Sequence, residues 1–496
     1  MTCRSDWRGF SLVIAVGAAL AGCVGDKRAP LEEPSAHSNP AAAALIADAG
    51  KAMADGALGD AGRKLDEARA IDPENPDLWV AIARLRFRGG EHLTALEAAD
   101  RALTLGPDHA PALLMRAFMV RDAHGSASAL PWFEAALAAD PENPDVWAEY
   151  AATLGDTGRG RAMLRAARKL AEIAPEDPRA FYLQAVLAAR GGNSALARSL
   201  LVRSRMAERG VPAALQLDAT LSLAEGNDDS AAETLTALSA RQPGNARLRE
   251  MLARALLLGG QEADLIARFS DEASRSEASP YLVMLVARAH ERLGQRDRAA
   301  PLLARAYRGA QPAPTVLADR AGLPQPTATM RRAASAADWD GASERARDLR
   351  AQFPASADVA SLAGDAMLGA GDLTAALNAY ALAARVRRPW PLTRKIIFAS
   401  RRAGDDAAAD TVLASHVAGE PNGMTGVIAL AEARAAQGDW TRTAVLLDHV
   451  MAIGGGHDPA LLALRLKAAR ALDRPSDVWQ FSALLAQVRP RGLAPS

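Results

Sequence analysis

Asp72-Pro73-Glu74-Asn75-Pro76-Asp77-Leu78-Trp79 returns, almost unchanged, as Asp140-Pro141-Glu142-Asn143-Pro144-Asp145-Val146-Trp147, 68 residues further along the chain. A weaker copy, Gly106-Pro107-Asp108-His109-Ala110-Pro111, lies halfway between them, and Ala174-Pro175-Glu176-Asp177-Pro178 follows the second copy. Prolines 73, 107, 141 and 175 therefore keep a strict period of 34 residues. A fixed period of that length marks a stacked-repeat architecture, in which one supersecondary unit is laid down again and again.

The period from Pro76 to His109 reads as two helices. Trp79, Ile82 and Ala83 fall at helical spacing, and Gly89-Gly90 breaks the run. Ala95, Ala99 and Ala102 then form a second stripe, which Pro107 closes. Apolar residues three and four apart give each helix one buried face. Glycine supplies the positive φ that ends the first helix, and proline cannot continue the second. Ala83 and Ala102 are small so that antiparallel helices can approach closely; a larger side chain would overpack the contact at roughly 1–3 kcal/mol.

These residues resemble the tetratricopeptide repeat. The resemblance implies an all-α, right-handed α-solenoid of about thirteen helix pairs, from roughly Ala42 to Val488. The turn glycine recurs as Gly56, Gly90, Gly158, Gly192, Gly226, Gly260, Gly294, Gly371, Gly404 and Gly438. The small residue of the second helix recurs as Ala61, Ala95, Ala129, Ala197, Ala231, Ala299, Ala342, Ala376 and Ala409. Residues 246–279, 390–418 and 456–488 depart from the pattern. Between Arg308 and Ala328, Pro312, Pro314, Pro324 and Pro326 interrupt it, as an interdomain hinge or as one irregular unit. The expected organisation is a leader at 1–22, a tether at 23–41, one array at 42–311, the proline-rich break at 312–328, a second array at 329–490 and a tail at 491–496.

A solenoid escapes the size limit that splits a chain of 496 residues into globular domains, because each unit is expected to pack only on its neighbours. Aromatic residues make up 4% of the chain, which suits helices separated by alanine.

The first forty residues predict the compartment. Arg4 and Arg8 precede an uncharged apolar run, Phe10 to Gly22, too short to span a bilayer and suited to an export signal. It ends Leu20-Ala21-Gly22-Cys23, which resembles the bacterial lipobox. That resemblance implies cleavage before Cys23 and acylation of the cysteine. Two or more acyl chains would then anchor the mature protein without a transmembrane helix. Val24 to Pro40 is polar and carries Pro30, Pro34 and Pro40, the composition of a disordered tether. Val24, standing where aspartate would signal retention, implies the periplasmic face of the outer membrane by resemblance to Gram-negative sorting rules.

Of the two cysteines, Cys3 leaves with the leader and Cys23 is acylated, so no thiol remains for a disulfide, a metal or a nucleophile. Charge is balanced, with 58 basic and 58 acidic residues, which gives no electrostatic case for nucleic acid. No glycine cluster continues as a phosphate loop. Asp338-Trp339-Asp340-Gly341 lacks the later ligands of a calcium loop, and His290-Glu291 lacks the second histidine of a zinc helix. No Gly-x-Ser-x-Gly elbow occurs. The chain is expected to be no enzyme and to need no cofactor, metal or small-molecule substrate.

In tetratricopeptide solenoids the first helix of each pair lines a concave groove. Carried onto this sequence, the inward positions imply a partner-binding groove formed by Arg84, Phe87, Arg88, Phe118, Arg121 and Tyr182. Arginine with aromatics is the mixture typical of interface hot spots. Val80, Arg84 and Met115 stand where a carboxylate clamp of the chaperone-binding type would need other residues. The expected function is an outer-membrane-anchored scaffold for protein partners of an envelope machine such as exopolysaccharide export or pilus assembly. An adaptor for a peptidoglycan synthase or hydrolase is the alternative, and an enzyme with an unrecognised site is a remote one.

Overall fold

The computed structural model describes residues 39–275, 278–308, 314, 316–317, 325–456 and 458–488. The expected leader, Cys23, the tether up to residue 38, most of 312–328 and the tail at 491–496 lie outside the described residues. Among the described residues there are 26 α-helices and no strand. They alternate as first and second helices of thirteen pairs. The first five pairs are α1 (Pro40–Ala54) and α2 (Leu58–Ile71), α3 (Pro76–Arg88) and α4 (His92–Leu105), α5 (Ala110–His124) and α6 (Ser126–Ala139), α7 (Pro144–Asp156) and α8 (Gly160–Ile173), α9 (Pro178–Arg190) and α10 (Ser194–Ser204). Next come α11 (Pro212–Glu225) and α12 (Asp228–Arg241), α13 (Ala246–Leu258) and α14 (Glu262–Ser274), α15 (Pro280–Arg292) and α16 (Arg296–Arg308), α17 (Gln325–Ser335) and α18 (Trp339–Gln352). The last four are α19 (Ala357–Ala370) and α20 (Leu373–Ala384), α21 (Trp390–Arg402) and α22 (Asp406–Gly419), α23 (Met424–Ala436) and α24 (Trp440–Val450), α25 (Pro459–Ala471) and α26 (Pro475–Val488).

The octapeptide that sets the period is a helix entrance, built the same way twice. Asn75 caps α3 by accepting from the Asp77 amide at 2.9 Å, and Asn143 caps α7 through the Asp145 amide at 3.0 Å. Pro76 and Pro144 occupy the first turn, where no amide donor is needed. Trp79 and Trp147 each donate their indole N–H to the carbonyl of Pro73 and Pro141, both at 2.8 Å. The recurring Asn and Trp thus each satisfy a polar group at the helix entrance, and the recurring Pro removes a donor that would otherwise be left open there.

The turn inside each pair holds one residue with positive φ. The ten glycines read from the sequence all do so, and Gly125 joins them in the third pair. In the ninth and thirteenth pairs the position is taken by Ala337 (φ 59°) and Asp473 (φ 50°). Ala337 is exposed and pays the left-handed cost without any packing in return. Ala337→Gly should therefore raise stability by about 0.5–1 kcal/mol, read as a shift in the denaturation midpoint of 325–370; an unchanged midpoint would contradict the strain. The nine small residues of the second helices are all at most 1% exposed. This matches their expected role at the close helix contact.

The chain forms two compact units, and they do not follow the two arrays. One holds the described residues of 21–157 and 313–420, the other those of 158–312 and 421–496. The expectation that each pair packs only on its chain neighbours is thereby corrected. In the first unit, Phe87, Leu93 and Leu96 of pair two pack against the core made by Leu392, Ala399 and Tyr380 of pairs ten and eleven. In the second, Leu462, Leu466, Phe481 and Leu485 of the last pair share a core with Leu282, Met284 and Leu285 of α15. Chain neighbours cover only two faces of a helix pair. Apolar side chains at its remaining edges gain roughly 25 cal/mol per Å² by burial wherever a distant pair reaches them.

A polar network holds pairs ten and eleven to the proline-rich stretch. Asp365, 1% exposed, accepts from Lys395 Nζ at 2.7 Å and from the Tyr380 hydroxyl at 2.9 Å. Its other contact is the Leu317 amide at 3.4 Å. Burial, and the carboxylate beside it, push the Tyr380 phenol up, so it remains a donor. Among the described residues no helix is long and apolar enough to cross a membrane.

Candidate partner-binding surface

The six residues expected to line a groove have different fates. Arg84 and Arg88 are exposed on α3. Arg88 Nη1 donates to the Met53 carbonyl at 2.8 Å, a second donor beside the Gly56 amide at the C-terminal end of α1. Phe87 is half-buried, edge-on to His92 with ring centroids 5.3 Å apart. It packs into the cores on both sides and is no free anchor.

Arg121 is a correction. Its side chain is 9% exposed and Nη1 lies 2.9 Å from Glu149 Oε2, whose side chain is 11% exposed. The guanidinium also sits 5.1 Å from the Phe118 ring and 6.0 Å from the Phe133 ring. Phe118 is half-buried against Phe133, with centroids 6.0 Å apart. The cluster ties α5, α6 and α7 together, because Glu149 of the next first helix reaches the inward position that a partner was expected to take. Tyr182 is the second correction. At 1% exposure it is a core residue of the other compact unit. Cys23 lies outside the described residues.

Other singled-out side chains have structural work. Asp338 caps α18, accepting from the Gly341 amide at 2.9 Å. His290 is 6% exposed and its Nδ1 is 2.7 Å from Gln295 Oε1, across the turn that follows α15.

The sequence reading missed the junction inside the first unit. The Leu93 amide donates to the Ala355 carbonyl at 3.0 Å, and the Arg388 amide to the Asp122 carbonyl at 2.9 Å. His92 Nδ1 accepts from the Ala357 amide at 3.3 Å, across 265 residues of chain. Glu420 Oε1 accepts from the Ser126 amide at 3.1 Å, across 294. Between them, Gly125 and Gly419 meet backbone to backbone. A Cβ on Gly125 would stand 2.6 Å from the Gly419 carbonyl carbon, and one on Gly419 would overlap the His124 carbonyl oxygen. The one available signal was the shortened turn His124-Gly125-Ser126, which breaks the spacing of the other glycines.

The junction also displaces the acidity of its side chains. Burial pushes the Glu420 carboxyl up to about 7, with Asp156 adding to the shift. Burial lowers His416 to about 4, helped by the Arg388 guanidinium. His92 is lowered by burial and by Arg387, against the opposing pull of Asp358 and Asp122.

The family profile described as tetratricopeptide repeat matches residues 51–110, 80–144 and 146–207. Among solved structures, the chain is similar to a tetratricopeptide-repeat protein from Parabacteroides merdae, with 18% identity, 55% of this chain and 94% of that one covered, and a TM-score of 0.29. It is also similar to PilW, a type IV pilus biogenesis factor, with 20% identity, 44% and 100% covered, and a TM-score of 0.36. PilF of Pseudomonas aeruginosa is 21% identical, with 47% and 93% covered and a TM-score of 0.32. Sequence comparison with curated proteins returns no match. The 34-residue period, the helix pairs it folds into and the family profile coincide over residues 51–207, and that stretch is built of tetratricopeptide repeats.

Proposed function

We propose that the protein is a non-enzymatic scaffold that binds protein partners of an envelope machine, such as exopolysaccharide export or pilus assembly, held by acylated Cys23 at the periplasmic face of the outer membrane. The observation that supports binding is the repeat itself. Thirteen helix pairs use the residues that recur along the chain for turns, caps and helix contacts, and stacked repeats of this kind present the remaining positions of their first helices as an extended surface. Arg84 and Arg88 are the two predicted contact residues that are exposed rather than half-buried or buried, one helical turn apart on α3. Arginine offers a partner's carboxylates a planar pair of donors. The address rests on Arg4, Arg8, the apolar run and Leu20-Ala21-Gly22-Cys23.

Two experiments separate the address from the binding. Cys23→Ser should leave an unprocessed precursor that takes up no labelled palmitate; a variant processed and labelled like the parent would end the lipoprotein reading. Arg84→Ala with Arg88→Ala should keep full helicity at a cost of about 1–2 kcal/mol from lost side-chain contacts, among them the Arg88 bond to the Met53 carbonyl. Crosslinking in intact cells should then recover much less of the partner. Parental recovery from a folded, correctly located variant would remove α3 from the binding surface.

A further inference from the structure

Exposed cations on these helices often stand beside an acid of the same helix. Arg63 meets Asp60 at 3.1 Å, Arg69 meets Asp66 at 2.9 Å and Arg268 meets Asp264 at 2.9 Å, each three or four residues apart. On α8 the habit is broken. Arg161, Arg165 and Arg168 are exposed, share one face at helical spacing, and meet no carboxylate or other polar partner among the described residues. Glu172, next along that face, is held by Lys169 at 3.3 Å. Like charges at this spacing repel, and Arg161 stands in a first turn that has no acid, where the helix dipole is already positive. The opposite face carries Met163, Ala166, Ala167 and Leu170, all buried, so the row cannot turn inward.

A second row lies on the next second helix. On α10, Leu196 is 48% exposed and Val202 61%, flanking the exposed Ser199. Arg203, also exposed, lies over the Phe181 ring at 4.2 Å. α8 and α10 both pack on α9 and both start at its C-terminal end, since a Cβ on Gly160 would meet Leu187 Cδ1 at 3.2 Å and α10 follows α9 through residues 191–193. The arginine row and the apolar row therefore run in the same direction, within one compact unit.

We propose that α8 and α10 form a docking surface for an acidic segment of a partner protein, whose carboxylates pair with Arg161, Arg165 and Arg168 and whose apolar side chains cover Leu196 and Val202. The proposal rests on the reading of the chain as a binder of protein partners and adds a surface of stated chemistry to it. Each unpaired guanidinium keeps its planar fork of donors free, the geometry that matches a carboxylate. Arginine beside exposed apolar side chains fits a protein interface, whereas a phosphate backbone has no use for Leu196 and Val202. A lipid surface calls for a broad basic face. This row is one helix wide, and on α10 Arg198 is already neutralised by Asp218 at 2.7 Å and Glu225 at 2.8 Å.

Photo-crosslinking from position 199 tests this in the full-length protein. With p-benzoylphenylalanine in place of Ser199, light should join the chain to a protein in intact cells, and mass spectrometry should place the joined peptide in a stretch with an excess of Asp and Glu. Arg165→Glu removes both like-charge contacts of the row and gives Arg161, Arg168 and Lys169 an acid three or four residues away. Its melting temperature should therefore equal or exceed the parent's, while the crosslink falls about tenfold or more. Val202→Ser should lower the crosslink several-fold at an unchanged melting temperature. An undiminished crosslink in either variant, a joined peptide without excess acid, or a lipid product would overturn the proposal. So would melting that falls together with the crosslink, since the row would then work inside the fold. The same crosslinker at Arg84 separates this surface from the wider reading: a protein joined there and not at 199 sinks this surface alone, and no protein joined at either position sinks both.

Discussion

Gly125→Ala should destabilise the first compact unit by about 3 kcal/mol or more. The backbone there has φ 91° and ψ 168°, a region that is nearly closed to any residue with a Cβ, at a cost of order 1–3 kcal/mol. The new methyl would also stand 2.6–2.8 Å from three backbone atoms of Gly419, and backbone cannot move aside as a side-chain tip can. Overpacking of that kind adds roughly 1–3 kcal/mol. Gly56→Ala is the matched control. Its φ is 78° and a Cβ meets nothing within 4 Å, so only the backbone cost of about 1–2 kcal/mol applies. Chemical denaturation followed by exchange of peptides from 110–139 and 386–420 reads both; equal losses in the two variants would deny the close crossing.

Arg121→Ala should cost about 3–5 kcal/mol, because it strands Glu149, whose side chain is 11% exposed, without the guanidinium that meets it at 2.9 Å. The phenylalanines beside it would also lose a stacked guanidinium. Replacing both partners, Arg121→Met with Glu149→Leu, should recover most of that loss, since an apolar pair of similar volume leaves no buried charge. A single variant as stable as the parent would return Arg121 to the surface. It would then again be a candidate for partner contact.

The fold was legible in the sequence because a repeat writes its local geometry once per period. Gly90 and its nine companions mark turns that need a positive φ, and Ala95 and its counterparts mark helix contacts too tight for anything larger. The Asn-Pro entrances name their own capping bonds. The candidate site was legible only in part. A family template gives the direction in which Arg121 or Tyr182 points, but not what the neighbouring element sends to meet it. Glu149 lies 28 residues after Arg121, so the pair leaves no mark on a 34-residue period. The junction was invisible for the same reason carried further. His92 and Ala357, or Ser126 and Glu420, meet across 265 and 294 residues of chain, and no single residue type announces that such distant segments touch.

That return is the centre of this account, since a chain whose pairs touch only their neighbours would be a different scaffold. Hydrogen exchange of the full-length Gly125→Ala variant tests it most directly, because the substitution lies in pair three and its effect is sought in pairs ten and eleven. Peptides covering 355–366 and 386–420 should exchange faster than in the parent, with the Arg388 amide losing the protection that the Asp122 carbonyl gives it. Faster exchange confined to 110–157, with 355–420 unchanged, would contradict the junction and return the protein to a simple ladder of neighbours.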